Sequence, residues 1–325
     1  MSTAAPAADR YREAERSLWA HYGLEPSERF VDLSSPAVRL RIVEVGSGPP
    51  VLFVGGTPGT GPYWGGLLRA LDGYRCLLLD RPGWGMSTPM DYSSVDYGTV
   101  AAAVLRGALD ALGIDRADIV GASLGDVWAL ALASRHPART GRIVLMGGGP
   151  IVAESGAPGP IKLIASPLGA ILVRLPPKQG RVKAFMRHAG HRASLDAGRI
   201  PPEYLRWRVA FERETDSLRN ERDMVRAVVG WRTGLRPELT FADTELAAIQ
   251  QPTLMVYGTA DPVGSVELWK RVADLLPRGE LQLVDGAGHS PWLDDPDTVA
   301  DHVARFLGRE GARSSATGYP ESCRK

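Results

Sequence analysis

Short apolar runs recur along the chain, and longer segments in which apolar residues repeat with helical spacing lie between them. A continuous apolar run is typical of a strand that is buried on both faces of a sheet. Residues 38–45 differ, because apolar and polar side chains alternate there, as in a strand with one buried face. The continuous runs predict further strands at residues 51–54, 76–80, 117–122, 142–146, 253–257 and 281–284.

Segments with helical periodicity follow most of these strands and predict the rest of the architecture. Pro296 begins one such segment and suits the first turn of a helix, where a missing N–H has no consequence. Strands that alternate with helices indicate a mostly parallel sheet with helices on both faces. We therefore predict the α/β class, with helices at residues 95–112, 124–136, 266–276 and 296–307.

The alternation is interrupted between residues 151 and 244, where the sequence has no clear buried strand. Helical spacing is present at residues 161–175, 180–191 and 202–232, and we interpret the segment as an inserted helical cap. Near the N-terminus, apolar residues among charged ones predict one helix within residues 11–30. The predicted organisation is a helical extension (1–37), an α/β core (38–150 and 245–308), the cap (151–244) and a disordered tail (309–325).

Composition and charge exclude several classes of protein. The 325 residues include 38 basic and 37 acidic side chains, and this balance argues against a nucleic-acid partner. Cys76 and Cys323 are the two cysteines, which are too few for a disulfide framework. The sequence shows no secretory leader pattern and no apolar run of about 20 residues that could span a membrane. We expect a cytoplasmic protein that acts on a small molecule without a membrane partner, and its oligomeric state stays open.

Residues 121–125 carry the pattern Gly-Ala-Ser-Leu-Gly, with Ser123 at its centre. A bare G-x-S-x-G pattern occurs by chance, but here it follows a predicted buried strand and opens a predicted helix. That context favours a nucleophile elbow over an ordinary glycine-rich turn. The glycines on either side of the serine remove Cβ atoms that would collide with the neighbouring strand and helix. The helix N-terminus beside the serine favours a developing oxyanion.

A serine nucleophile needs a base, and the base needs an acid that fixes its tautomer. His289 lies in a glycine-containing loop between the last predicted strand and the last predicted helix. Asp261 follows the strand at residues 253–257, which gives the chain order Ser123, Asp261, His289. The alternatives to Asp261 are Asp126, Asp285, Asp294 and Asp295, of which Asp285 is too close to His289 in the chain to reach around its ring easily.

The sequence predicts no metal and no cofactor. His188 and His191 are three residues apart and could share a helical face as a metal-binding pair. No acidic or cysteine ligands with matching spacing accompany them, however. We therefore favour a pocket-lining or solvated position for both histidines.

Residues 80–87, which read Asp-Arg-Pro-Gly-Trp-Gly-Met-Ser, are similar to the D-x-x-G-x-G-x-S stretch that follows a core strand in α/β-hydrolases. The Gly-His-Ser-Pro-Trp sequence at residues 288–292 resembles the histidine loop of the same superfamily. Together with the elbow and the triad order, the resemblance covers residues 38–150 and 245–308. It implies the α/β-hydrolase fold and a serine hydrolase. The serine at the elbow argues against the epoxide hydrolases and haloalkane dehalogenases, which use an aspartate there.

The resemblance also implies an oxyanion hole formed by the backbone N–H groups of Thr57 and Leu124. The enzymes that this chain resembles usually carry His-Gly in the first of these loops, where this sequence has Gly55-Gly56. Replacing the histidine by Gly55 removes a side chain that helps to brace the loop. Both donors are main-chain groups, so the replacement need not abolish the hole.

The resulting hypothesis is hydrolysis of a carboxylic ester of a small, partly hydrophobic molecule through an acyl-enzyme. One alternative is hydrolysis of a C–C bond in a diketone-like substrate by the same triad, and another is a non-catalytic ligand-binding member of the fold. Apolar and aromatic residues of the cap could roof the pocket, although packing on the core explains them equally well. The residues predicted to bind substrate are Gly56, Trp207, Phe211 and Trp292.

Overall fold

The computed structural model of the chain describes residues 6–93, 95–157 and 159–308, so the predicted tail at 309–325 lies outside the described residues. Each strand predicted from hydrophobic patterning is present, within two residues at either end. The strands are β1 (Ser27–Ser34), β2 (Ala37–Val45), β3 (Pro50–Val54), β4 (Arg75–Leu79), β5 (Ala117–Ala122), β6 (Thr140–Met146), β7 (Val229–Gly230), β8 (Gly234–Leu235), β9 (Thr253–Gly258) and β10 (Gly279–Val284).

Helices lie between most of these strands, and a group of them fills the interval between β6 and β9. No helix in the described part of the chain is long and apolar enough to cross a membrane. The helices are α1 (Ala7–Tyr22), α2 (Gly65–Leu68), α3 (Tyr97–Ala111), α4 (Leu124–Arg135), α5 (Gly159–Ala165), α6 (Gly169–Leu172), α7 (Gln179–His188), α8 (Arg192–Asp196), α9 (Pro202–Glu214), α10 (Ser217–Val228), α11 (Asp243–Ala247), α12 (Val266–Leu275), α13 (Pro291–Asp294) and α14 (Pro296–Leu307).

Eight of the strands form one sheet in the order β1-β2-β4-β3-β5-β6-β9-β10. β1 is antiparallel to β2, and β2 is antiparallel to β4, whereas all the pairs from β4 to β10 are parallel. The carboxyl ends of the parallel strands therefore meet at one edge of the sheet. Loops at that edge are where ligands bind in open α/β sheets.

Burial explains why the central strands have continuous apolar sequences. β3 and β6 lie inside the sheet between other strands, and the side chains at Val51–Val54 and at 143–146 are fully buried. Strand β10 lies at the edge of the sheet and is only partly covered, which is why its apolar run can include Gln282. Helix α4 is buried at every residue from 125 to 133, which is why its sequence has no polar face.

The predicted helical extension over residues 1–37 is wrong in its second half. Helix α1 ends at Tyr22, and β1 then adds a strand to the sheet next to β2. Within β1 only Val31 is buried, because the strand lies at the sheet edge with most side chains toward solvent. A strand with one buried residue has too weak an alternation to be separated from a helix by its sequence pattern.

Two of the helices predicted in the cap segment are interrupted. The predicted helix at 161–175 is divided into α5 and α6, and Pro167 lies in the break. The predicted helix at 202–232 is divided into α9 and α10 at Thr215. The Thr215 hydroxyl donates to the Phe211 carbonyl at 2.6 Å, and the backbone N–H of Ser217 donates to the same hydroxyl at 3.2 Å. This local hydrogen bonding competes with continuation of the helix.

Helix α1 is attached to the core by a buried cluster of charges. Arg41 of β2 donates to both carboxylate oxygens of Glu15, at 3.0 and 2.7 Å, and to Glu28 at 2.8 Å. Its guanidinium also reaches Asp80, directly after β4, at 3.4 Å. At the other side of α1, Arg10 donates to Glu214 of α9 at 2.9 Å. Helix α1 thereby connects strand β2 with helix α9.

Candidate active site

Ser123 occupies the turn between β5 and α4 with φ 56° and ψ −122°, and it is the one non-glycine residue with positive φ in the described ranges. Its backbone N–H donates to the carbonyl of Met146 at 2.9 Å. A Cβ on Gly125 would lie 1.9 Å from the Val54 carbonyl oxygen, and one on Gly121 would lie 2.8 Å from the Gly125 carbonyl oxygen. The glycines are therefore required sterically, and the strained serine is held by its surroundings as a nucleophile elbow requires.

His289 and Asp261 lie in the loops that follow β10 and β9. The Nδ1 of His289 is 3.0 and 3.1 Å from the two carboxylate oxygens of Asp261. The same carboxylate accepts the backbone N–H of Gly148 at 2.7 Å and that of Val263 at 3.0 Å. With Nδ1 bonded to the acid, Nε2 of His289 is the nitrogen left to accept a proton.

The charges of this pair stabilise each other. Burial opposes protonation of His289, but the charge and the hydrogen bond of Asp261 outweigh it and raise the pKa of the imidazole above its ordinary value. Burial likewise opposes ionisation of Asp261. His289 and the Gly148 and Val263 N–H groups outweigh that effect and lower the pKa of the carboxyl. The acid therefore stays ionised near neutral pH and can stabilise an imidazolium.

Ser123 and His289 open into one cavity of about 470 Å³ between the carboxyl edge of the sheet and helices α5, α6, α7, α9 and α10. This size suits a small to medium organic ligand. Most of the wall is aliphatic and comes from α5, α6 and α10. The aliphatic residues include Ile161, Leu163, Ile164, Leu172, Val225 and Val228.

Thr57 and Leu124, the predicted oxyanion donors, line the same cavity beside Ser123. In the part of the chain that the structure describes, neither backbone N–H has a protein acceptor. Gly56 lies against the nucleophile, because a Cβ there would be 2.7 Å from the Ser123 Cβ and 3.0 Å from its Oγ. The loop between β3 and α2 therefore supplies a donor that can face an oxyanion formed at Ser123.

A cluster of charged residues interrupts the aliphatic wall. Arg208 and Glu212 of α9, Arg181 of α7 and Glu221 of α10 all border the cavity. Arg181 donates to Glu212 at 2.8 Å, and Arg208 pairs with Glu212 at 3.4 Å. The buried Nη1 of Arg208 has no hydrogen-bond partner among the residues that the structure describes. Burial raises the pKa of Glu221, an effect that the Thr57 hydroxyl and the charges of Arg208 and Arg81 partly offset.

Sequence reasoning missed this charged cluster. The sequence does contain a signal for it: Arg208 and Glu212 are four residues apart in a predicted helix, which is the spacing of an ion pair on one helix face. The direction of that face relative to Ser123 is a property of the tertiary structure.

Three of the four predicted substrate-binding residues lie in packed interiors, and this corrects the expectation. Trp207 and Phe211 are fully buried within the cap, with their ring centroids 6.1 Å apart, and they are not part of the cavity wall. Trp292 stacks on Trp64 at 4.9 Å and donates its indole N–H to the Tyr63 carbonyl at 2.9 Å. Large aromatic side chains are favoured in cores for their buried area, which explains their positions. The fourth residue, Gly56, supports the nucleophile instead of lining the cavity.

The alternatives to Asp261 have other partners. Asp126 lies in the core beneath the elbow, where its carboxylate accepts the Tyr257 hydroxyl and the Met146 backbone N–H, both at 3.2 Å. Burial raises the pKa of Asp126 well above its ordinary value. Asp285 is exposed and accepts the Thr259 hydroxyl at 3.1 Å. Asp295 caps α14 by accepting the N–H of Thr298.

Asp294 belongs to a second buried histidine–aspartate pair, which connects the cap with the histidine loop. His191 Nδ1 is 2.7 Å from Asp294, and its Nε2 accepts the Ser290 backbone N–H at 3.3 Å. Close by, the backbone N–H of His289 donates to the carbonyl of Ala189 at 2.8 Å. His191 is therefore structural. His188 is part of the cavity wall, in agreement with the pocket-lining alternative.

Comparison with known sequences identifies relatives over most of the chain. A 2-hydroxy-6-oxononadienedioate/2-hydroxy-6-oxononatrienedioate hydrolase of Pseudomonas putida is 30% identical and covers 92% of this chain and 94% of its own length. An enzyme of the same name from Paraburkholderia phymatum is 28% identical and covers 87% of this chain and 96% of its own length.

Solved structures share the fold at lower identity. Naproxen esterase from Bacillus subtilis has a TM-score of 0.69 at 17% identity and covers 94% of this chain and 100% of its own. The meta-cleavage product hydrolase of Pseudomonas fluorescens IP01 has a TM-score of 0.67 at 22% identity and covers 86% of this chain and 97% of its own. The family model for the alpha/beta hydrolase fold matches residues 49–296. The chain therefore belongs to the α/β-hydrolase fold family.

Proposed function

We propose that this hydrolase cleaves carboxylic esters with a mainly apolar acyl group, and that Ser123 forms an acyl-enzyme. The observation that carries the proposal is the strained Ser123 beside the His289–Asp261 pair at the wall of an aliphatic cavity. Burial of apolar surface contributes about 25 cal/mol per Å² to binding, so such a wall favours hydrocarbon over polar acyl chains.

The reaction follows from the geometry of these groups. Ser123 Oγ attacks the ester carbonyl while Nε2 of His289 takes the hydroxyl proton, and Asp261 stabilises the imidazolium. The negative charge on the former carbonyl oxygen is stabilised by the N–H groups of Thr57 and Leu124. His289 then protonates the departing alcohol. Water attacks the acyl-enzyme by the same route, which releases the carboxylic acid and regenerates Ser123.

A specific observation favours a second candidate, hydrolysis of a C–C bond next to a ketone in a carboxylate-bearing substrate. Arg208 borders the cavity, and its buried N–H without a partner in the described ranges fits a carboxylate. The relatives from Pseudomonas putida and Paraburkholderia phymatum are named for dioate substrates that carry two carboxylates. In this reaction the leaving group is an enolate. His289 would protonate its carbon, where ester hydrolysis has it protonate an alkoxide oxygen.

Kinetics with two substrate classes separate the candidates. We would compare kcat/KM for neutral p-nitrophenyl esters of graded acyl length with kcat/KM for a 2-hydroxy-6-oxo-dienoic acid, using wild type, Ser123→Ala and Arg208→Gln. Ester hydrolysis predicts Ser123-dependent turnover that increases with acyl length and is little affected by Arg208→Gln. C–C hydrolysis predicts preference for the acid and a loss of about 10- to 100-fold in Arg208→Gln, since a hydrogen bond to a charged group contributes about 1.5–3 kcal/mol.

The third hypothesis, a ligand-binding protein without catalysis, predicts no turnover of either class. Folded wild-type protein that binds these compounds without cleaving them would contradict the proposed ester hydrolysis. Turnover that survives Ser123→Ala would contradict the proposed nucleophile.

A further inference from the structure

The loop that carries Thr57 is held by a buried arginine. Arg81, two residues after the end of β4, is fully buried, and its Nη2 donates to the carbonyl oxygen of Gly56 at 2.7 Å. Its guanidinium lies 4.0 Å from the ring centroid of Trp84 and 5.6 Å from that of Trp128. Burying a cation is unfavourable unless hydrogen bonds and neighbouring groups compensate it. Among the described residues its Nε and Nη1 have no hydrogen-bond partner, so the bond to Gly56 and the stacking on the tryptophan rings are the contacts that compensate its burial.

The Gly56 carbonyl and the Thr57 N–H belong to one peptide group. This peptide is planar and trans, so its C=O and N–H bonds point in opposite directions. Holding the carbonyl on Arg81 therefore directs the N–H away from Arg81. Thr57 lies on the cavity wall beside Ser123, which is the side on which an oxyanion would form.

The shape of the loop explains why the brace comes from elsewhere in the chain. A Cβ on Gly55 would lie 2.4 Å from the Cα of Gly59, and a Cβ on Gly59 would lie 2.2 Å from the Gly56 carbonyl oxygen. The loop is folded back on itself, and a histidine at position 55 would not fit without moving it. The Arg81 bond to the Gly56 carbonyl braces the loop without needing a side chain at position 55.

We propose that Arg81 is a positioning residue, which orients and polarises the Gly56–Thr57 peptide so that its N–H stabilises the oxyanion. The inference rests on the proposed function, in which Ser123 attacks a carbonyl. A cationic donor on the carbonyl draws electron density from the peptide group and makes the Thr57 N–H a stronger donor, as in chains of hydrogen bonds. Removing one oxyanion donor lowers kcat by about 10²–10³-fold. A misaligned Thr57 N–H should therefore lower kcat by no more than this.

The first test compares Arg81→Met with Arg75→Met. Met keeps much of the side-chain volume without the charge. Arg75 is a matched control at the other end of β4, where it donates to Glu44 at 2.8 Å, away from the loop. We would measure kcat and KM for a neutral ester and the Ki of a trifluoromethyl ketone, which forms an oxyanion with a serine. The corresponding methyl ketone serves as a ground-state analogue.

We expect Arg81→Met to lower kcat by about 10- to 100-fold with little change in KM, since only transition-state binding is affected. The Ki of the trifluoromethyl ketone should rise by a similar factor, and that of the methyl ketone should not. Arg75→Met should match wild type in all of these values. A folded Arg81→Met protein that binds the trifluoromethyl ketone like wild type would overturn the inference while the proposed function stands.

Chemical rescue separates positioning from packing. Arg81→Ala leaves a space between the tryptophans, and added guanidinium at millimolar concentration should restore part of kcat whereas ammonium should not, because the guanidinium plane stacks on aromatic rings. If Arg81→Met does not fold, Arg81→Lys can be compared with wild type in the same assays, and we expect a smaller loss of kcat. Failure of guanidinium to raise kcat in a folded Arg81→Ala protein would overturn the inference. A wild-type protein with neither Ser123-dependent turnover nor trifluoromethyl ketone binding would overturn the proposed function itself.

Discussion

Replacing Asp261 by asparagine tests the triad with minimal change in shape. The carboxylate accepts four contacts: the Gly148 N–H at 2.7 Å, the Val263 N–H at 3.0 Å and the His289 Nδ1 at 3.0 and 3.1 Å. An asparagine offers one oxygen acceptor and one NH₂ donor. Each oxygen lies within 3.1 Å of Nδ1 and accepts one backbone N–H, so an NH₂ in either position faces a backbone donor and can donate only to Nδ1 among these partners.

That reversal changes the tautomer of the base. With Nδ1 accepting, the proton of neutral His289 moves to Nε2, and Nε2 can no longer take the proton of Ser123. Loss of the charge also removes stabilisation of the imidazolium. We expect kcat to fall by about 10³–10⁴-fold, the size of effect that the wrong tautomer produces in serine hydrolases.

The pH profile gives a second readout with a defined sign. Asp261 raises the pKa of His289 against the effect of burial, so wild-type kcat/KM is lost as the pH falls through that raised value. Without the Asp261 charge the imidazole is harder to protonate. The acidic limb of the residual Asp261→Asn activity should therefore lie at lower pH than in wild type. Steady-state kcat/KM across the acidic to neutral range measures both the loss and the shift.

Asp285→Asn provides the matched control. Asp285 precedes the same histidine loop but is exposed and contacts Thr259, so its variant should keep wild-type kcat and the wild-type pH profile. The reasoning would be refuted if kcat of Asp261→Asn were within about tenfold of wild type and the acidic limb of its pH profile were unshifted. If Asp285→Asn lost more kcat than Asp261→Asn, the acid of the triad would be Asp285 and not Asp261.

Three further substitutions test other parts of the account. Gly56→Ala places a Cβ 2.7 Å from the Ser123 Cβ, so kcat should fall by about 10-fold or more with little change in Tm; unchanged kinetics would contradict the close approach. Arg41→Met leaves Glu15 buried without its cation, so urea denaturation should show a loss of about 3–5 kcal/mol in the free energy of unfolding. His191→Ala removes the bond between the cap and the histidine loop, and hydrogen exchange in that loop should become faster; equal exchange would count against the connection.

Much of the core was predictable because its constraints are local. A strand buried on both faces needs consecutive apolar residues, and the apolar runs gave the strands to within two residues. The elbow needs glycines where a Cβ would collide, and the φ of 56° at Ser123 shows the same constraint in the structure. His289 and Asp261 could be selected because the carboxyl ends of parallel strands meet at one edge.

The remaining features depend on contacts between distant segments. The edge strand β1 has one buried residue and so left little pattern, and the break at Thr215 depends on a hydroxyl that bonds to backbone. Trp207 was expected in the pocket, but hydrophobicity alone does not distinguish a cavity wall from a packed interior. Arg81 stood within a recognised motif, yet its bond to Gly56, 25 residues away, is visible only in the fold.

The central claim, an activated Ser123, is tested most directly by intact mass measurement after incubation with a fluorophosphonate. This reagent reports on the nucleophile without knowledge of the substrate. The account predicts one covalent adduct on wild type and none on Ser123→Ala, together with sharply slower labelling of Asp261→Asn. An unmodified wild-type protein that is folded, or an adduct of equal yield on Ser123→Ala, would contradict it.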